Sequence, residues 1–337
     1  MFISVIIPTL NCQELIKTCL ESIKNQNFKN YEVIIVDGGS TDKTLKICEE
    51  FKCKIIHIGF KNNMEARRFI GIKEATGDLI LILDSDNILV NENSLLELMQ
   101  PHYTNYEIIA SYSKWFSYNR YGNYLDKYFS LIGVNDPLTF FLKKNDRLPM
   151  NSNKVIFKYN KIIKKNDFTL FNFEKNDLPV IGANGFLIKK KYLKNFLSID
   201  PESFFHTDIN FDILHYYNKK ELYYAICNNS IIHQNRQNFA KVLKKRVSYW
   251  NTHSNKLSIK RRYKVFDISK MSDNIKLLYF FIASVTFIIP LLQSIKGFFN
   301  TRNIYWFFHP IACLGFVISY SIGVIIYLIN RILYKKT

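Results

Sequence analysis

The chain predicts an α/β fold: an open, mostly parallel sheet flanked by helices, followed by a two-helix membrane hairpin. Three observations predict it. Residues 4–99 of the 337 alternate short aliphatic runs with helical patterns. Two of those runs, at 33–36 and 79–83, lack polar alternation and end in carboxylates, as Val-Ile-Ile-Val-Asp and Leu-Ile-Leu-Ile-Leu-Asp-Ser-Asp. Such runs belong to strands covered on both faces, the inner strands of a parallel sheet. Finally, residues 277–295 and 304–329 contain no Asp, Glu, Lys or Arg.

Residues 4–7 form the first strand, closed by Pro8, which has no N–H for a ladder. Leu15, Ile16, Cys19, Leu20 and Ile23 then recur at helical spacing. Residues 33–36 are the second strand, after which Thr41-Asp42 caps a helix running to about Phe51. A third strand covers 54–58. Residues 64–75 read as a helix with Gly77 as its C-cap, 79–83 as the fourth strand and 91–99 as another capped helix. Short right-handed crossovers make this order a parallel sheet. Residues 115–180 are less regular and rich in Tyr, Phe, Lys and Asn; within them 124–142 reads equally as an interfacial helix pair or an amphipathic insertion on the sheet. Strand character returns at 180–189, where Gly182 and Gly185 permit close backbone approach.

Forty-six basic against 28 acidic residues give a net charge of +18, which points to a polyanionic partner. Lys256, Lys260, Arg261, Arg262, Lys264, Lys270 and Lys276 sit just before the apolar stretches, so lipid headgroups rather than nucleic acid are the expected partner. A bilayer core of about 30 Å needs about 20 helical residues, and both stretches are long enough. The basic flanks, including Arg331, Lys335 and Lys336, outweigh Lys296 and Arg302 in the short intervening loop, placing both ends in the cytosol. Pro290 weakens the first stretch and permits a re-entrant path. The six cysteines form no C-x-x-C pair and read as small core residues of a reducing compartment. With no signal peptide in evidence, the bulk of the chain is expected to be cytosolic. The expected organisation is a ligand-binding half at 1–114, a second half at 115–254, a basic juxtamembrane segment at 255–276 and the hairpin with its basic tail at 277–337.

Open α/β sheets bind ligands beyond the carboxyl ends of their strands, so Asp37, Asp84 and Asp86 are expected to meet at one edge. The glycines after Asp37 let a ligand approach the backbone, although Asp37 acting only as a helix cap is the plain alternative. Asp84-Ser85-Asp86 places two carboxylates beside a core, which is costly without a cation or hydrogen bonds. Hard oxygen ligands suit Mg²⁺ or Mn²⁺, with a ligand's phosphates completing the shell. Of Arg67 and Arg68, one is expected to reach this edge and the other to face solvent. His233, at a probable strand end, is a candidate to complete the metal shell or touch phosphate, and a plain hydrogen-bonding residue otherwise. Residues 241–246 form a basic run that either clamps a diphosphate or headgroup or is simply a solvated helix face.

Taken together, Ser4-Val-Ile-Ile-Pro-Thr-Leu-Asn11, Ser22, Gln26, residues 32–44, Ala66-Arg67, Gly71, Ala75-Thr-Gly77-Asp78 and Asp84-Ser-Asp86 resemble the opening of family 2 glycosyltransferases. The match is close over about 3–100 and looser over about 180–235, and the hairpin resembles members that elongate lipid-linked or surface glycans. The resemblance implies a glycosyltransferase A-type fold with a nucleotide-diphospho-sugar site across the sheet and an acceptor region after it. Thr9 and Asp37 would hold the nucleoside, and Arg67 would steady Asp84 or the base. Asp84 would bind ribose or the metal shell, and Asp86 would ligate the Mn²⁺ or Mg²⁺ that bridges the diphosphate. Asp208 would be the general base, with Thr207 where the family commonly has Glu; Arg68 stands where Asn often follows the Arg. The implied reaction is inverting transfer to a hydroxyl of a lipid-linked or glycan acceptor at the membrane. Transfer to a polyprenyl phosphate, which needs no base, and a catalytically silent membrane-anchored binder of nucleotide sugars are the other readings.

Overall fold

A computed structural model describes residues 1–61, 63–218, 221–234, 236–252 and 261–334; the basic positions Lys256, Lys260, Lys335 and Lys336 lie outside them. The chain forms two compact units, the first made of Met1–Asn119 and Phe157–Gln234, the second of Arg120–Ile156 and Asn235–Thr337. These boundaries differ from those expected at 114 and 254, because strands from both halves pair into one sheet.

In the first unit the opening elements are β1 (Ile3–Thr9), α1 (Gln13–Lys24), β2 (Tyr31–Asp37), α2 (Thr44–Glu50), β3 (Lys54–His57), α3 (Met64–Glu74) and β4 (Leu79–Ile82). All seven residues of β1 are buried, as an inner strand requires. Helix α1 turns Ile16, Cys19, Leu20 and Ile23 inward. Helix α3 lies close on the sheet because Gly71 has no side chain; a Cβ there would sit 2.3 Å from Cγ2 of Ile6. Gly77 is not the C-cap that its position predicts. The helix has already ended at Glu74, and Gly77 serves close approach instead, since a Cβ would meet the Ser4 nitrogen at 2.7 Å.

There follow β5 (Asn87–Leu89), α4 (Ser94–Met99) and β6 (Ile108–Ser117); after the excursion into the second unit come β7 (Tyr159–Lys164), β8 (Phe168–Phe173), β9 (Phe186–Lys189), α7 (His206–Tyr216) and β10 (Tyr223–His233). The strand order is β3-β2-β1-β4-β9-β6-β10-β8-β7. The β3-β2-β1-β4 half is parallel throughout, and its register sets Thr9 opposite Asp37. Strand β9 enters antiparallel between β4 and β6, which makes the whole sheet mixed. Strand β10 runs parallel to β6 and antiparallel to β8. The short β5 pairs with the end of β10, setting Asn87 opposite His233.

The second unit contains α5 (Tyr124–Ile132), α6 (Pro137–Phe141), α8 (Phe239–Thr252), α9 (Met271–Thr286), α10 (Ile288–Thr301), a 3₁₀ turn at Ile304–Phe308 and α11 (His309–Tyr334). Residues 124–142 thus form a helix pair, whose Tyr128, Phe129, Leu131 and Phe141 build a core with Phe280, Trp306, Cys313 and Phe316. The second apolar stretch lies in one helical segment, Ile304–Asn330, of 27 residues and mean hydropathy 2.3, long and apolar enough to cross a membrane. The first stretch is not a single straight helix: α9 and α10 are bent by 83° at Phe287, which sits at φ +63°. Pro290 explains the break. In a continuous helix it would crowd the Thr286 carbonyl and offer it no N–H, whereas in the restarted helix it occupies the first turn.

Candidate active site

Asp37 ends β2 fully buried. Its Oδ1 accepts from the Thr9 hydroxyl at 2.9 Å and the Ser40 hydroxyl at 2.5 Å, and its Oδ2 accepts from the Gly39 and Ser40 N–H groups at 2.8 and 2.7 Å. Burial works to raise this carboxyl, but the Ser40 hydroxyl, the two N–H groups and Thr9 outweigh it and hold Asp37 below the ordinary carboxylate value. Gly38 leaves room beside it for Arg67, whose Nη1 would lie 2.3 Å from a Cβ there.

Both arginines of α3 are buried, because both lie within one turn of Gly71 on the face that meets the sheet. Arg67 donates through Nη1 to the Phe60 and Lys61 carbonyls, each at 2.9 Å. The partner of Asp84 is Arg68: its Nη2 lies 2.7 Å from each Asp84 oxygen. Arg67 is expected to steady Asp84 or the base and one of the two arginines to face solvent; instead Arg68 meets Asp84 and neither arginine faces solvent. Arg68 also gives Nη1 to Glu65 Oε1 at 2.6 Å. Burial opposes its charge, yet Asp84 and Glu65 prevail and its pKa is raised. The sequence signal was the spacing from Gly71, which marks positions three and four residues earlier alike.

Asp86 lies two residues beyond Asp84, at the start of the β5 excursion. Its Oδ1 accepts from Asn87 Nδ2 at 3.1 Å, and Nδ2 of Asn87 also bonds Asn184 Oδ1 at 3.1 Å. The β5–β10 pairing brings His233 Nε2 to 3.3 Å from Asp86 Oδ2. Burial works against the Asp86 charge, and the imidazole outweighs it, so the carboxyl is lowered. Asn87 and Asn184 were not anticipated from the sequence; single asparagines in a turn carry little signal.

Among the described residues no group of three or more His, Cys, Asp or Glu side chains is placed to hold a metal ion. Asp86 and His233 make a pair. A pair fits Mg²⁺ or Mn²⁺, which take few protein ligands and fill their shells with water and ligand oxygens. The Asn87 bond orients one oxygen of the Asp86 carboxylate.

Asp208 lies in the first turn of α7 and is fully buried. Phe205 caps this helix without a side-chain bond, and Glu65 of α3 supplies one instead: its Oε2 accepts from the His206 N–H at 2.9 Å. The start of α7 is thus joined to Asp84 through Glu65 and Arg68. The His206 ring packs edge-on against Phe186 at 5.0 Å. The basic run at 241–246 falls on α8, where Arg246 turns inward to the Asn135 carbonyl at 3.0 Å while Lys241, Lys244 and Lys245 are exposed. A cavity of about 340 Å³ lined by Asn160, Lys175, Tyr217 and Glu221 contains none of the candidate residues.

A parallel half-sheet with carboxylates at and just beyond its strand ends, Asp37 buried and Asp84 and Asp86 half-buried, defines an open α/β protein with a polar edge. The family model for glycosyl transferase family 2 matches residues 4–196, and the chain belongs to that family. It is 28% identical over 201 residues to the glycosyltransferase GlyA of Streptococcus pneumoniae serotype 4, covering 57% of this chain and 28% of that one. It is 37% identical over 103 residues to GlyG of the same organism (29% and 34% covered) and 38% identical over 90 residues to the putative glycosyltransferase EpsH of Bacillus subtilis (25% and 26%). The chain thus spans about a third or less of the length of these relatives. Its fold resembles that of the mannosyltransferase PcManGT from Pyrobaculum calidifontis, solved with GDP-Man and Mn²⁺, with a TM-score of 0.54 at 11% identity over 98% of this chain and 87% of that one.

Proposed function

We propose that this chain moves a sugar from a nucleotide-diphospho-sugar donor to a hydroxyl of a membrane-associated acceptor, lipid-linked or a surface glycan, with inversion at the anomeric carbon. The observation that carries the reading is the meeting of Asp86 and His233, 3.3 Å apart, on the sheet edge where Thr9 and Asp37 are bonded. A family 2 membership and a fold shared with a GDP-Man-bound mannosyltransferase support the donor class. The 27-residue apolar helix supports a membrane location, with the catalytic unit on the cytoplasmic side.

Thr9 and Asp37 hold the nucleoside through the turn that Asp37 organises, with Arg67 lying against Gly38 under that turn. Asp84, fixed by Arg68, faces the ribose end of the donor. Asp86 and His233 hold Mn²⁺ or Mg²⁺, which when bound neutralises charge on the diphosphate. Asp208 receives the proton of the acceptor hydroxyl, leaving the oxygen to displace the nucleoside diphosphate from the opposite face of the sugar. Such a base contributes roughly 10²–10⁴-fold.

The test is a mass-spectrometric screen of the detergent-solubilised full chain against UDP- and GDP-hexoses with MnCl₂ or MgCl₂. Release of a nucleoside diphosphate is expected, and a chain that releases none from any donor is not this enzyme. Asp208→Asn is expected to slow transfer by about 10²-fold or more while leaving donor binding within about twofold. Full transfer by that variant would remove Asp208 from the mechanism and favour an already ionised polyprenyl phosphate as acceptor.

A further inference from the structure

The bent pair α9–α10 has the dimensions of one leaflet. Lys276 and Lys296 bound its apolar stretch, nineteen residues that as a straight helix would measure about 28 Å and nearly cross a 30 Å bilayer core. The break at Phe287 divides them into arms of ten and eight residues, about 15 and 12 Å long, so neither arm passes the bilayer midplane.

The two arms are amphipathic in an unusual sense: one face is covered by the protein and the other is apolar and bare. Phe280, Ala283 and Ser284 of α9 and Pro290, Ser294 and Gly297 of α10 are buried. Leu278, Phe281, Ile282, Val285, Ile288 and Leu292 are 48–62% exposed. A contiguous apolar surface of this kind around a helix apex, closed off by lysines, suits lipid chains better than water.

Both arms of the pair are fastened to the α5–α6 segment. Midway along α9, at the third and fourth residues of the apolar stretch, Tyr279 and Phe280 pack against Phe141 of α6, at 5.8 and 5.0 Å. Beyond the end of α10, the Trp306 ring covers Gly297, and the Tyr305 hydroxyl accepts from Lys127 of α5 at 3.1 Å. Phe308 meets Tyr124 of α5 edge-on at 5.0 Å. Phe141 in turn stacks on His309 at 6.2 Å, and His309 lies 6.1 Å from the Trp306 ring that covers Gly297. This chain of rings from Phe280 to Trp306 falls well short of a hydrocarbon core of about 30 Å, so both ends of the pair face the same aqueous phase.

We infer that α9 and α10 form a re-entrant wedge that enters one leaflet of a lipid bilayer and returns to the side it came from. The partner is the acyl region of that leaflet, with Lys276, Lys296 and Arg302 at the phosphate level and Tyr305 and Trp306 in the interfacial zone. This replaces the orientation expected from charge counting, in which the 296–303 loop lies across the membrane. The inference rests on the membrane location proposed above and does not depend on the sugar chemistry.

The test uses the full chain in sealed right-side-out and inverted vesicles of the expressing cells, with single cysteines introduced as Ile268→Cys, Asn300→Cys and Phe287→Cys and a membrane-impermeant maleimide as probe. Ile268, before α9, and Asn300, in the last turn of α10, are exposed. Both are expected to label from the same side, and the apex cysteine to label at least about tenfold more slowly in vesicles than in detergent. Labelling of positions 268 and 300 from opposite sides would show that the pair crosses the bilayer and overturn the wedge. Equal labelling of position 287 in vesicles and detergent would overturn its burial in lipid. A chain that fails to float with the vesicles would overturn the membrane location itself, a separate and recognisable failure.

Discussion

The turn after β2 and the turn after β4 stand at one edge of the same sheet, and each carries a buried or half-buried carboxylate, but they treat it differently. Asp37 receives four hydrogen bonds, from Thr9, Ser40 twice and Gly39, and all come from neutral donors close in the fold. A carboxylate has about four acceptor positions, so Asp37 is saturated. Asp86 receives Asn87 on one oxygen and has His233 beside the other. The difference separates two uses of the same residue type. Asp37 shapes a backbone turn and presents that turn to a ligand, whereas Asp86 keeps acceptor capacity for something that arrives. Between them Asp84 is held by a single buried cation, Arg68.

This division orders substitutions at three sites. Asp86→Asn has the largest effect on function: turnover is expected to fall by about 10³-fold or more, with loss of Mn²⁺-dependent UDP or GDP binding measured by calorimetry. Its unfolding midpoint should stay within about 2 °C of the unaltered chain. A large drop in that midpoint would mean that Asp86 is structural like Asp37, and the contrast would dissolve.

Arg68→Ala comes next and acts on stability. It strands Asp84 and Glu65 without their shared cation, and removing one partner of a buried pair costs about 3 kcal/mol, the solvent reaching both acids trimming the larger values seen in dry interiors. Arg68→Lys should recover only part of this, because one ammonium cannot reproduce the forked contact with both Asp84 oxygens. Denaturant titration in detergent measures both. A neutral Arg68→Ala would show that Asp84 needs no internal partner.

The smallest effect is a pH dependence at Asp37. Its folded carboxyl lies below the ordinary value of 3.8, so its contribution is complete above that value and is lost as pH falls through the lower folded value. Asp37→Asn should therefore cost about 2 kcal/mol near neutral pH, and the gap to the unaltered chain should narrow between about pH 5 and about pH 2. Thermal unfolding across that range reports it. A gap that widens on acidification would contradict the network described for this turn.

Much of this was legible because burial writes itself into composition. The aliphatic runs of β1, β2 and β4 announce covered strands, and the acids that end them announce the edge. Strand β9 was legible as a strand but not as antiparallel, since direction depends on where the chain returns from and residues 115–180 hide that route. Which arginine meets Asp84 was missed because Gly71 marks positions 67 and 68 alike as sheet-facing, and the choice between them rests on the Phe60 and Lys61 carbonyls that engage Arg67. Gly77 looked like a cap because glycine serves both left-handed turns and close contacts, and sequence does not separate the two uses. In the apolar region Pro290 did mark the break, but the tethering of both ends through Lys127, Phe141 and their partners is tertiary and invisible in charge counts.

The three-residue strand β5 has a further consequence. Side chains alternate across a sheet, so the face on which residue 233 emerges is set by parity along β10. That strand shifts register against β6 between Cys227 and Ser230 before it reaches β5. A chain one residue shorter in this step would keep its strands yet turn Ile231 out of the core and the imidazole to the far face, away from residue 86. The pairing of an acid and a histidine nearly half a chain apart is therefore written in a count of residues as much as in their identities.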